Sequence, residues 1–332
     1  MRWIAAIIAI VMGVGLIVTP IASSLFSRTK DAQRLADDVR PAMTKKALAV
    51  AETDKNTVKA AIREFNGPTF KLVAGAFGMT PRQFAAYLQR RYPDVAAGSR
   101  VLPVGVAHGE AILRVLERNR TNFESADSYP VEGMSVRVGP WIFVALGVAF
   151  AVLGVIALRV PGRWPLAVLA VAGLVPVVFA LAAALPSKAS DTRDLSSGLK
   201  STLSAQSANA AVFQVHTAER FVAQVNSGLL PALGRQLHMT PAQLNAFLAR
   251  KSPALSRALP QFNRILAEYD PLAVALVNDR PHYVETAKLK FVTLTWILIG
   301  ASAMVFLVSG VALLAGARGR AAAPLAAPRP AV

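Results

Sequence analysis

Four long stretches without a charged residue constrain this chain more than any other feature. Residues 3–26, 138–158, 164–186 and 291–317 contain no Asp, Glu, Lys or Arg. A helix needs about 20 apolar residues to cross a hydrocarbon core of roughly 30 Å. All four stretches meet that length. Charged residues make up only 17% of the chain, against about 25% in an ordinary soluble domain. Mean hydropathy is +0.44. The expectation is an all-α integral membrane protein with four transmembrane helices.

The short segments between and beyond these stretches set its orientation. Arg2, Arg159, Arg163, Arg318, Arg320 and Arg329 lie there without any acid. Short basic loops stay on the cytoplasmic side, whereas long loops count for little. Both termini and the turn at 159–163 are therefore expected in the cytoplasm of a cell-membrane protein, and both large loops outside it. Arg28, Lys30, Lys188, Lys288 and Lys290 flank the spans on the other side and weaken that asymmetry. The first stretch also has the start of a signal peptide. Its internal counterpart at 164–186 cannot be one, so the first is expected to be retained.

The chain repeats itself. Residues 79–93 and 239–253 align with identities at Met79/Met239, Thr80/Thr240, Pro81/Pro241, Gln83/Gln243, Ala86/Ala246, Leu88/Leu248, Arg90/Arg250 and Pro93/Pro253. The same spacing pairs Asn66 with Asn226 and Asp31 with Asp191. Further on it drifts, pairing Leu102-Pro103 with Leu259-Pro260, Val131-Glu132 with Val284-Glu285, and Trp141-Ile142 with Trp296-Ile297. An ordered set of this kind points to a parallel internal duplication. The first repeat covers 1–163, with span 3–26, ectodomain 27–137, span 138–158 and cytoplasmic turn 159–163. The second covers 164–317, with span 164–186, ectodomain 187–290 and span 291–317. Residues 318–332 are Ala/Pro-rich and read as a disordered cytoplasmic tail.

The repeated motif reads as a helix start. Thr80 and Thr240 suit the N-cap, Pro81 and Pro241 the first helical position, and Gln83 and Gln243 the third, which completes a capping box. Tyr92-Pro93 and Ser252-Pro253 stop the helix. Arg90 and Arg250 have no such folding role, beyond favouring the helix dipole. They are the candidate contacts for a lipid headgroup or a partner carboxylate. The remainder of both loops shows helical stripes, such as Val58, Ala61, Ile62 and Phe65, with breaks expected at Asn66-Gly67-Pro68 and Ser227-Gly228.

Catalytic patterns are missing from the sequence. The four histidines, His108, His216, His238 and His282, have no metal-ligand spacing and read as surface residues. Asp37-Asp38 reads as a solvated face. There is no cysteine, which removes disulfides and thiol chemistry. The net charge of +17 is spread over both loops without interleaved aromatics, so nucleic acid is a poor partner and anionic lipid a better one. The spans carry no titratable group of the kind that marks a proton relay.

Heavy use of Ala, Val and Arg fits a bacterial genome. The expected function is then a non-catalytic bacterial envelope protein, with no enzymatic activity and no cofactor. Its paired extracytoplasmic helical domains would bind a membrane or envelope protein partner, or organise a membrane complex. The alternative is lipid binding, as an accessory component of envelope lipid transport. That reading places an apolar groove between the two ectodomains, with Arg90 and Arg250 near a headgroup.

Overall fold

A computed structural model describes residues 1–128 and 134–321, with side chains to residue 315. Among the described residues every regular element is helical. Val131-Glu132 and the end of the tail lie outside them. Four helices are long and apolar enough to cross a membrane: α1 (Arg2–Ala22), α7 (Gly139–Arg159), α8 (Trp164–Ala182) and α14 (Phe291–Ala321). The chain divides into two compact units. One holds Met1–Ala36, Thr121–Ser196 and His282–Val332, the other Asp37–Arg120 and Ser197–Pro281.

In the first unit small residues share the interior with Leu16, Phe143, Phe150 and Leu169, while many large apolar side chains face outward. Ala5, Ala6 and Ala9 of α1 are buried, while Ile7, Val11, Val14 and Val18 are exposed. A soluble bundle does not leave so continuous an apolar surface exposed. In a bilayer, helices associate through small residues that let backbones approach, and large side chains face lipid. Gly13 is such a contact: a Cβ there would lie 2.5 Å from the Gly147 carbonyl oxygen. Gly173 does the same on α14, where its Cβ would lie 2.6 Å from the Phe306 nitrogen. The pattern points to a multi-pass membrane protein.

Two span ends differ from expectation. The first was expected to reach residue 26 and the third residue 186, but α1 ends at Ala22 and α8 at Ala182. Ser24 and Ala184 each have φ 52°. A residue in the left-handed region ends an α-helix, and apolar composition carries no sign of it. New helices start at once, α2 (Leu25–Val39) and α9 (Leu185–Leu199). At the other end α14 runs to Ala321, past residue 317.

The second unit draws on both long loops. After α2 come α3 (Lys45–Glu64), a π-helical turn (Phe65–Thr69), α4 (Phe70–Ala76), α5 (Pro81–Arg91) and α6 (Pro93–Asp127). After α9 come α10 (Ala205–Gln224), a π-helical turn (Val225–Leu229), α11 (Leu230–Gln236), α12 (Pro241–Lys251) and α13 (Pro253–Ala287). Each pair has the same length: 20 residues for α3 and α10, 11 for α5 and α12, 35 for α6 and α13. The breaks expected at Asn66-Gly67-Pro68 and Ser227-Gly228 are widened turns. Pro68 has no N–H to donate, and the helix continues through a π turn, a device common at functional positions.

Both capping boxes form. The Thr80 and Thr240 hydroxyls accept from Gln83 and Gln243 N–H, and the glutamine oxygens accept from the threonine N–H groups in return. One core holds residues of both loops, including Ile62, Phe65, Phe84, Leu88 and Val95 with Phe221, Leu233, Leu244, Leu248 and Phe262. Phe65 meets Phe221 edge-on at 5.2 Å. Phe221 lies so close to Gly98 that a Cβ there would sit 2.5 Å from its ring. Thr69 and Ser252 share a buried hydrogen bond of 2.7 Å.

Candidate functional site

The long helices α3, α6, α10 and α13 each carry an apolar stripe at helical spacing. On α3 it is Leu48, Ala51, Val58 and Ile62. On α6 it is Leu102, Val106, Ile112, Leu113 and Leu116. On α10 it is Ala211, Val215, Ala218 and Val222, and on α13 Phe262, Ile265, Leu266, Leu272 and Leu276. These stripes line one cavity of about 360 Å³ within the second unit. That size lies in the range of small-molecule sites, roughly 300–1,000 Å³.

Hydrogen-bonded polar pairs cross three of the four seams of the cavity wall, and a longer approach of His216 to Asp270 marks the fourth. Lys59 Nζ on α3 donates to Glu110 Oε2 on α6 at 3.0 Å. His108 on α6 bridges to α10, with Nδ1 3.2 Å from Gln214 Oε1 and Nε2 2.8 Å from Ser207 Oγ. With Nδ1 donating to the amide oxygen, Nε2 accepts from the serine, and the neutral ring is satisfied on both sides. His216 on α10 faces Asp270 on α13 at 3.6 Å. Arg264 on α13 reaches back to α3, where it donates to Asp54 at 2.6 Å, and it also bridges to Glu268 at 3.0 Å.

Charge at the wall follows from these pairs. The hydrogen bond from Lys59, and then its charge, hold the Glu110 carboxyl below its ordinary value. Asp54 raises the Arg264 guanidinium, by a hydrogen bond and then by charge. Burial pushes the Tyr269 phenol well above its ordinary value, and the neighbouring Asp54 and Glu268 carboxylates push it further. Tyr269, Asp54 and Glu268 all line the cavity.

Arg90 and Arg250 lie elsewhere. Both are exposed on the last turns of α5 and α12. Arg250 Nε donates to the Ala246 carbonyl at 3.4 Å. Neither lines the cavity. The residues that do were read from sequence as core stripes or surface. His108 is half-buried in a seam rather than a surface residue. His282 is half-buried too, 2.8 Å from Asp31. Asp37 and Asp38, read as a solvated face, are exposed, and Asp38 lies at the rim of the cavity. A signal was present: four long amphipathic helices, each with a polar residue among those lining the cavity, Asp54, His108, Gln214 and Asp279.

Compared with protein-family models, with curated proteins and with solved structures, the chain matches none.

Proposed function

We propose that this chain is a membrane-anchored lipid-binding protein whose cavity takes the hydrocarbon part of a membrane lipid. The observation that carries the reading is the 360 Å³ apolar cavity between α3, α6, α10 and α13. Its lining is mostly apolar, as small-molecule sites are, and the bilayer that anchors the chain is a ready source of apolar ligand. The role is non-catalytic: accessory binding in envelope lipid transport, with both long loops on the extracytoplasmic side and both termini in the cytoplasm. Helix order and length agree between residues 1–163 and 164–317, which supports an origin by parallel duplication. The cavity moves the balance from a protein-partner scaffold to lipid binding. Arg90 and Arg250 are then contacts for anionic lipid or a partner at the surface, away from the cavity. Gentle extraction of the full chain from its native membrane, followed by mass spectrometry of lipids and proteins, tests this. A lipid at fixed stoichiometry is expected. A fixed protein partner with no lipid would return the account to the scaffold.

A further inference from the structure

The cavity is long and narrow. Leu48 and Ile62 on α3 both line it, as do Leu102 and Leu116 on α6, and each pair is 14 residues apart. At roughly 1.5 Å per residue, that spacing is about 21 Å of helix. Spread over this length, the 360 Å³ of the cavity leaves a mean cross-section of about 17 Å².

Volume and length can each be read as a number of carbons. An apolar cavity of about 150 Å³ holds one benzene, or roughly 25 Å³ per carbon. By that measure 360 Å³ has room for about 14 carbons. An extended chain advances roughly 1.2 Å per bond, the rate of an extended polypeptide over its three backbone bonds, so about 17 carbons cover the length. The two counts meet only if one chain fills the cavity. Two chains side by side would have about 7 carbons each and would reach less than half of its length. The membrane-crossing helices α1, α7, α8 and α14 all belong to the first unit. A second chain on the same lipid would therefore find no apolar lining of its own in the second unit. Methylenes left in water carry a cost that grows with each one. On the reading that the cavity is a lipid site, we infer that its ligand is a single-chain lipid, whose one alkyl chain of about 14–17 carbons lies extended along the four helices.

Monopalmitoyl and dipalmitoyl phosphatidylcholine share a headgroup and differ in chain number. Each lipid, tritiated and with a diazirine in one tail, is offered to the full-length protein stripped of lipid in CHAPS, a detergent without an alkyl chain. Displaceable binding is counted in the dark, and labelled peptides are mapped by mass spectrometry after illumination. The expected count for the monopalmitoyl lipid at saturation is one per protein, with labelling on the cavity faces of α6 and α10. The dipalmitoyl lipid is expected to need a mole fraction ~tenfold higher for the same occupancy. Two monopalmitoyl molecules in the cavity, or binding of the dipalmitoyl lipid at an equal or lower mole fraction, would overturn the single chain while leaving the lipid site standing. Displaceable binding of neither lipid would remove the lipid site, and this assignment with it.

Discussion

Glu64 closes the first turn of a helix 191 residues further along the chain: its Oε2 accepts a hydrogen bond from the backbone N–H of Leu255 at 2.7 Å. The other loop returns the contact, with Gln224 Oε1 accepting from Val95 N–H at 2.9 Å. Each loop thus caps the long helix of the other. A helix N-terminus leaves donors unsatisfied, and α6 and α13 both begin at a proline, so these side chains fill a need local sequence leaves open. Glu64→Ala and Gln224→Ala should each lower stability by about 1–2 kcal/mol, with Glu64→Gln milder than Glu64→Ala. Denaturation of the purified protein reads this. Unchanged midpoints would mean the capping contacts do not form.

The backbone at residue 238 is strained. His238 has φ 52°, where Gly78 at the matching place has φ 63°. A side chain there costs roughly 1–2 kcal/mol. His238→Gly should raise the melting temperature, and Gly78→Ala should lower it by a similar amount. Opposite signs for two substitutions at matching positions are the expected result, measured by thermal unfolding.

Close packing in the spans makes a contrast. Gly13 leaves no room for a Cβ, while Gly300 has no atom within 4 Å of one. Gly13→Ala should weaken the packing of α1 on α7 and reduce thermal stability in detergent, and Gly300→Ala should leave it unchanged or slightly higher. Equal effects would contradict the packing described.

The seam between α3 and α6 depends on pH. Glu110 is held below its ordinary 4.5 by Lys59. A carboxyl lowered on folding contributes stability that is present above its unfolded value and lost as pH falls through its folded value. Stability should therefore fall on acidification below about pH 4.5, and Glu110→Gln should flatten part of that slope. A pH series of melting curves for both proteins measures it.

The sequence held much of this, unevenly. Apolar length alone marked the four crossing helices, and the Thr-Pro-x-Gln pattern marked the starts of α5 and α12, because capping is local chemistry. Ser24 and Ala184 were not legible, since neither is a residue that favours a left-handed backbone. The cavity was hidden for another reason. A stripe such as Ile112, Leu113 and Leu116 reads the same whether it faces a packed core or an opening, and only the seams formed by Asp54 with Arg264 and His108 with Ser207 decide between them. Those pairs join residues far apart in the chain. Reciprocal capping by Glu64 and Gln224 was concealed likewise, because similarity between two loops does not say that they share a core.

Gly109 offers the most direct measurement. It lines the cavity, and a Cβ placed on it meets no atom within 4 Å. Gly109→Phe should therefore fill the cavity, and removing a helical glycine should cost no stability. The decisive quantity is the number of lipid molecules retained per chain after gentle extraction, in the native protein and in this variant. Lipid-binding function predicts a fixed number in the first and a loss in the second, with thermal stability kept. Equal lipid retention in both, or none in either, would contradict it.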